Sequence, residues 1–198
     1  MSNWCANIIL ISGPSEDVSI LYKSLEEYNA EVKSKEPDEG RVNIGAWIKD
    51  KFSDKLPEFT EEDYALSYRN FIENYWCSVD DEACLSIYSE SAWDSCMYAL
   101  VKLIEVGFPK CIIHYKSEEP CFNYYINTDE SGKYFKERWY YTNRFESYYC
   151  ISEEGLYSNL INDYADIIKD NNIVIPSLDN PGQDQICKLV ESLVEFDE

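Results

Sequence analysis

Residues 85–128 limit the possible folds more than any other part of the sequence. The spacing of their apolar residues is typical first of a strand, then of a helix, and then of two further strands. Alternation over 84–89 predicts a half-buried strand. A helix is predicted from a cap at Ser91 to Gly107, where Pro109 prevents its continuation. A short turn separates the apolar runs 110–116 and 121–126, which predicts an antiparallel hairpin.

The rest of the chain supplies further elements around this unit. Strand spacing over 3–12 and helix spacing over 15–28 predict a strand and a helix that join the same sheet. Residues 29–40 are polar and contain Pro37 and Gly40, so they predict a loop. Helical spacing recurs over 44–52 and, after a capping box that begins at Thr60, from 61 to about 74, where a helix to this point and an earlier change to strand both stay open. Residues 133–143 predict a strand paired with the strand before it.

The elements together predict an α+β fold in two parts. The first part is a domain over 1–145, with a mainly helical insertion at about 29–75. The second part, 146–198, is predicted to form a helix, a short strand at 171–176 and a last helix from Pro181. So short a segment makes a poor core by itself, so we expect this αβα extension to pack on the first domain.

Four short motifs carry a resemblance to a known family. They are NWCANIILISGP near the N-terminus, ENYWC at 73–77, SESAW at 89–93 and HYKSEEP at 114–120. In this order, and over about the first two-thirds of the chain, they make the sequence similar to the YubB ferredoxin-like family of small proteins from bacterial plasmids, phages and related elements. The resemblance implies a ferredoxin-like antiparallel sheet with helices packed on one face, and an origin in a mobile genetic element. It implies no activity.

Acidic residues outnumber basic ones by 38 to 17, which gives a net charge of −21 at pH 7. The acids concentrate in 58–90 and 151–198, whereas 102–144 is nearly neutral. Such a surface repels duplex DNA and anionic membranes and favours a basic protein partner, for example a nucleic-acid-handling protein whose groove accepts carboxylates in place of phosphates. High charge also serves solubility alone. The candidate contact residues are Asp80, Asp81, Glu82, Glu153, Glu154, Asp163, Asp166 and Asp170.

The residues needed for catalysis or metal binding are sparse. His114 is the only histidine, and none of the eight cysteines stands in a CxxC pair, so we predict no metal site and no cofactor. Glu118 and Glu119 are adjacent on a predicted strand and therefore point to opposite faces, which makes them a poor acid/base pair. We therefore expect a protein that is not an enzyme, and an uncharacterised enzyme stays a second alternative.

Aromatic and basic residues concentrate between 133 and 144. In a sheet, Tyr134, Trp139 and Tyr141 could stack on bases while the neighbouring lysines and arginines follow the phosphates. This pattern makes a single-stranded nucleic-acid binder the first alternative, although aromatic residues on strands more often pack in a core.

The sequence also bears on location. It contains no apolar run of bilayer length, and its start lacks the basic and apolar regions of a signal peptide. We therefore expect a cytoplasmic protein whose cysteines are free and mostly buried, and the resemblance to the YubB family implies a bacterial origin. The oligomeric state is left open.

Overall fold

A computed structural model describes residues 4–36, 40–78, 82–92, 94–119, 124–137, 139–142, 148–151, 153–170, 175 and 189. The chain forms two compact units, Met1–Asp129 and Glu130–Glu198. The sequence analysis placed the boundary later, after residue 145.

The first unit has an α+β fold built on a six-stranded antiparallel sheet. The strands lie in the order β2 (Val42–Asn43), β3 (Asn70–Ser78), β4 (Ala83–Ala92), β1 (Trp4–Gly13), β5 (Ile112–Glu119) and β6 (Tyr124–Asn127). Strand β1 is central: it pairs with β4 along its whole length and with β5 over most of it. The predicted α+β class and N-terminal strand are confirmed, as is the antiparallel pairing of the hairpin after residue 110.

Helices cover one face of this sheet. They are α1 (Ser15–Lys35), α2 (Ile44–Phe52), α3 (Glu61–Ala65) and α4 (Tyr98–Lys102), which continues as a π-helical turn, Leu103–Gly107. On β1, buried Ile9 and Ile11 alternate with half-buried Ile8 and Leu10, so the helices pack against the Ile9 side. One core cluster joins this side to the helices through Ile9, Ile11, Leu85, Ile87, Leu21, Leu25, Trp47, Ile48, Leu100 and Leu103.

The predicted helix start at Ser91 is wrong. Ser91 lies in β4 opposite Cys5, and the Asn7 Nδ2 donates to its Oγ over 2.9 Å. The helix begins only at Tyr98 and ends at Gly107, as predicted. A serine that could cap a helix is held in a strand here because a long-range ladder and a buried side-chain hydrogen bond outweigh the local preference. Trp93, which was predicted to lie in the helix, is outside the described residues.

Two alternatives were open for 61–74, a helix to about residue 74 or an earlier change to strand, and the structure has the earlier change. Helix α3 ends at Ala65, and Phe71 and Ile72 belong to β3, where they pair with Glu90 and Ser89. Apolar residues at helical spacing were present, but pairing with β4 decides their conformation. The predicted loop from residue 29 is also partly wrong, because α1 continues to Lys35 through polar residues that face solvent and a basic last turn that suits the helix dipole.

A capping box starts α3, as predicted. The Asp63 Oδ2 accepts from the Thr60 N–H at 2.7 Å, and the Asp63 N–H donates to the Thr60 Oγ1 at 3.4 Å. The Thr60 backbone N–H and then its hydroxyl hold the pKa of the Asp63 carboxyl below its ordinary value.

Replacing Thr60 with alanine is expected to lower the free energy of unfolding by about 1 kcal/mol at neutral pH. A carboxyl with a lowered pKa contributes stability above its unfolded pKa, and this is lost as the pH falls through the folded pKa. The difference between wild type and variant should therefore shrink at acid pH. Denaturant titrations at about pH 7 and pH 3 measure it, and a constant or growing difference would contradict the assignment.

The second unit contains a separate two-stranded sheet. Strand β7 (Trp139–Thr142) pairs antiparallel with β8 (Tyr148–Ile151), and helices α5 (Glu153–Asp163) and α6 (Ala165–Asp170) follow. The predicted pairing of 133–143 with the preceding strand is therefore wrong. The predicted strand at 171–176 and the helix from Pro181 lie outside the described residues, apart from Ile175 and Leu189. Each helix in the described ranges is too short or too polar to cross a bilayer.

Candidate functional site

The first unit carries an open groove on its helical side, here called the Tyr98 groove. Its volume is about 500 Å³. The lining side chains are mostly apolar and come from the segment before α3 and from α4 with its π-helical turn: Leu56, Pro57, Glu58, Phe59, Asp63, Tyr98, Lys102 and Val106.

Aromatic stacking sets the shape of the groove. The Phe59 ring lies parallel to the Tyr98 ring, with centroids 5.8 Å apart, and meets Tyr64 edge to face at 5.3 Å. Tyr64 is buried in the core, so it anchors Phe59 and, through Phe59, the position of Tyr98. Tyr98 nevertheless keeps 41% of its surface exposed. The groove wall is thus an ordered aromatic surface that still faces solvent.

The π-helical turn gives the groove its other wall. Within Leu103–Gly107 the first two residues are buried, whereas Val106 is 59% exposed. Turns of this kind interrupt the regular helical register and are frequent at functional sites. Here the exposed aliphatic side chain of Val106 lines the same groove as Tyr98.

Two further depressions continue the surface. The first depression, of about 500 Å³, shares Tyr98 and Lys102 with the Tyr98 groove and reaches Tyr115 and Tyr124. The second depression, of about 460 Å³, shares Leu66, Asp94 and Cys96 with the first depression. Leu66 is 57% exposed and stands between them. Leu66, Tyr98 and Val106 therefore mark a continuous, partly apolar surface.

Carboxylates predominate around this surface. Glu58 and Asp63 line the Tyr98 groove, and Asp94 lines both further depressions. The exposed Glu61 and Glu62 lie on α3 beside them. Two cations also line this surface, Lys102 and Arg69. The Lys102 Nζ donates to the Glu105 Oε2 at 2.5 Å, and this bond raises the pKa of the Lys102 ammonium group. Arg69 is exposed. The surface is apolar at its centre and acidic at its rim.

The predicted acidic contact residues do not form one described site. Asp80 and Asp81 lie outside the described residues, and Glu82 is exposed just before β4. Glu153 and Glu154 are in the first turn of α5, Asp163 ends it, and Asp166 and Asp170 are exposed on α6. Glu82 belongs to the first unit, whereas Glu153, Glu154, Asp163, Asp166 and Asp170 belong to the second. As a contact set these residues stay a prediction.

The Tyr98 groove was missed by the sequence analysis, although a signal for it exists. Met97, Leu100 and Ile104 follow the buried stripe of α4, whereas Tyr98 and Val106 fall off that stripe. Large apolar residues outside a buried stripe point to an exposed contact surface.

The residues of the nucleic-acid alternative lie in the second unit. Tyr134 is half-buried, and the Lys133 Nζ lies 4.6 Å from its ring centroid. Trp139 and Tyr141 are on β7, where they pair with Ile151 and Tyr149 of β8. The side chains on β7 are outside the description, so base stacking there stays a prediction.

Two cysteines and the histidine have described surroundings. Burial raises the pKa of the Cys5 thiol and of the Cys96 thiol to about 12, so both are neutral thiols at pH 7 and poor nucleophiles. The His114 Nδ1 lies 3.4 Å from the Thr128 carbonyl oxygen. Among the described residues, no group of three or more His, Cys, Asp or Glu side chains could hold a metal ion.

Three polar residues lie side by side on the central strands β4, β1 and β5: Ser89, Asn7 and Ser117. All three are fully buried on the helix-covered face. The Asn7 Nδ2 donates to the Cys5 and Ser89 carbonyl oxygens and to the Ser91 Oγ. These bonds fix the relative register of β1 and β4, which is a structural role.

The chain was compared with known proteins. No protein-family model matches it, no curated protein matches it, and no solved structure matches it. The resemblance to the YubB ferredoxin-like family stays a prediction.

Proposed function

We propose that the protein is a non-enzymatic binding module that holds an amphipathic basic segment of another protein in the Tyr98 groove. The observation that carries this proposal is the combination in one groove of exposed Tyr98 and Val106 with the carboxylates of Glu58 and Asp63.

Apolar contact supplies the affinity in this proposal. Exposed Leu66, Tyr98 and Val106 lie along one surface, and aromatic residues are the commonest energetic centres of protein interfaces. Tyr98 is held in place by its stack on Phe59, so little side-chain freedom is lost on binding. The groove volume of about 500 Å³ leaves room for apolar side chains of a partner beside Tyr98 and Val106.

Charge supplies the selectivity. The carboxylates around the groove and the net charge of −21 attract lysine and arginine and repel acidic partners and phosphate backbones. Nucleic-acid-handling proteins are one class rich in such basic segments, so they are candidate partners.

We also propose a ferredoxin-like arrangement for the first unit. Without the edge strands β2 and β6, the remaining main elements follow the order β1, α1, β3, β4, α4, β5, which is the βαββαβ order, and their strands lie side by side as β3, β4, β1, β5. Three of the four motifs lie wholly or partly within β3, β4 and β5, and the N-terminal motif includes β1. This placement supports the proposed relationship to the YubB family and its mobile-element origin.

The binding test uses two synthetic peptides of the same Lys and Leu composition. One has leucines at helical spacing, so it forms a basic amphipathic helix, and the other has a scrambled order. We expect the amphipathic peptide to bind more tightly in calorimetric or anisotropy titrations, and its affinity to fall as salt is added.

The decisive variants are Val106→Asp and Ile112→Asp, because the two residues are equally exposed at 59% and only Val106 lines the groove. We expect Val106→Asp to lower the affinity for the amphipathic peptide by roughly tenfold or more and Ile112→Asp to leave this affinity nearly unchanged. Equal affinities for the two peptides, or equal effects of the two variants, would mean that the binding is only general charge attraction and would contradict the proposal. Tight, salt-sensitive binding of a labelled single-stranded oligonucleotide would favour the nucleic-acid alternative instead.

A further inference from the structure

The outer edge of β3 is open along most of its length. Strand β2 pairs only with Phe71 and Ile72, and after them the register shifts at a bulge before Asn74. From Asn74 onward β3 pairs with β4 on one side, and within the described ranges no strand pairs with its other side. An open strand edge is a template for pairing with another chain.

The open segment is held ready for pairing. The Tyr75 hydroxyl accepts from the Asn29 Nδ2 at 2.9 Å and donates to Glu26 at 3.3 Å, and the Tyr75 ring meets Tyr22 edge to face. These contacts fix β3 against α1. The Tyr75 N–H donates to the Asn74 side-chain Oδ1 at 2.9 Å rather than to a neighbouring strand. The outward-facing backbone groups are therefore those of Tyr75 and Cys77, because successive residues face opposite sides.

A bulge precedes this segment, but the segment itself lacks the charges and the proline that often protect a strand edge. Residues 74–78 read NYWCS, with no lysine, no proline and no other charged residue. Trp76 is 52% exposed in the middle of the segment. An exposed tryptophan on an uncharged open edge is a feature that soluble proteins normally avoid unless something covers it.

We propose that this edge binds the same edge of a second copy of the chain, so that two β3 strands pair antiparallel about a two-fold axis at Trp76. In this arrangement Tyr75 of each copy lies opposite Cys77 of the other, and each such pair exchanges two backbone hydrogen bonds once the Tyr75 N–H has given up its bond to the Asn74 side chain. The two Trp76 residues face each other with Cα atoms about 4.5 Å apart, and their side chains cover one another.

The charge pattern of the edge favours a second copy over a basic partner. An uncharged segment offers a basic strand no carboxylate within it, whereas it meets its own copy without like charges in contact. The Glu73 carboxylate, three residues from the axis, is ion-paired with the Arg41 guanidinium, so its charge is partly offset where the two copies meet. The edge is also separate from the Tyr98 groove, since none of its residues lines that groove.

The test is the mass of the full-length protein measured by sedimentation velocity and light scattering over a wide concentration range. We expect a concentration-dependent dimer that becomes tighter as salt is added, because each copy carries −21 and added salt screens their repulsion. Binding of a basic peptide in the Tyr98 groove has the opposite salt dependence, so failure of one proposal is distinguishable from failure of the other. Amide exchange at Tyr75 and Cys77 should slow as the dimer forms.

Trp76→Lys places two ammonium groups opposite each other and is expected to weaken the dimer by about tenfold or more. The matched control is Ile112→Lys, an equally charged change at an exposed residue of β5, away from the β3 edge, which should leave the dimer unchanged. A monomer at every concentration, or a dimer that survives Trp76→Lys, would overturn the proposal. So would a dimer that Ile112→Lys dissociates as strongly.

Discussion

Replacing Trp47 with alanine is expected to lower the free energy of unfolding by about 3–5 kcal/mol, the largest effect that we predict for a single change in this chain. Trp47 is fully buried on α2, meets Phe52 edge to face at 5.8 Å, and donates from Nε1 to the Ser24 hydroxyl oxygen at 3.3 Å. Alanine leaves a large cavity where α1 and α2 pack together. The Ser24 hydroxyl keeps its bond to the Leu21 carbonyl, so the loss comes mainly from packing.

Denaturant titration of both forms measures this loss. The matched control is Trp76→Ala, which removes the same side chain from a position that is 52% exposed and is expected to cost much less in dilute, monomeric protein. Equal losses from the two substitutions would mean that Trp47 is not part of a tightly packed core. A changed denaturant dependence would point to a change in cooperativity instead.

The sequence predicted the elements whose pattern and packing agree. The burial of side chains alternates along β1, and the π-helical turn after α4 ends at Gly107, two residues before Pro109, so local preference and tertiary structure lead to the same result. Ser91 and Ile72 show where the two conflict. Both fit a helix locally, and both lie in strands because β4 pairs with β1, which is distant in sequence, and with β3, which precedes it.

The candidate site was harder to predict than the fold. Net charge indicates the sign of the charge that a partner should carry. It is a sum over the whole surface, however, so it does not locate the contact. The exposure of Tyr98 and Val106 follows from their positions off the buried stripe, but the groove also needs Phe59, from a separate segment, to stack over Tyr98. That long-range contact has no periodic pattern in the sequence. The open edge of β3 likewise results from a strand, β2, that is only two residues long.

Gly45 shows how the structure can reverse an expectation drawn from the sequence. A glycine at the start of a predicted helix lowers helix propensity, and alanine there would be expected to stabilise α2 by at most about 1 kcal/mol. In the structure, however, a Cβ at this position would lie 2.5 Å from the Tyr68 Cδ1 and 2.6 Å from the Tyr64 carbonyl oxygen. Both distances are far below contact, and the carbonyl is backbone that cannot rotate away. Gly45 is therefore required for the close approach of α2 to the segment that follows α3.

Gly45→Ala is accordingly expected to lower the free energy of unfolding by about 2 kcal/mol, because overpacking typically costs about 1–3 kcal/mol and outweighs the gain in helix propensity. Denaturant titration gives the size of the change, and Ala46→Gly, at the next position of the same helix, measures the propensity contribution alone. Because Tyr64 contacts Phe59, which lines the Tyr98 groove, the variant should also weaken binding of the amphipathic peptide. A net stabilisation by Gly45→Ala would contradict the packing of α2 against Tyr64 and Tyr68, and with it the anchoring of Phe59 on which the proposed groove depends.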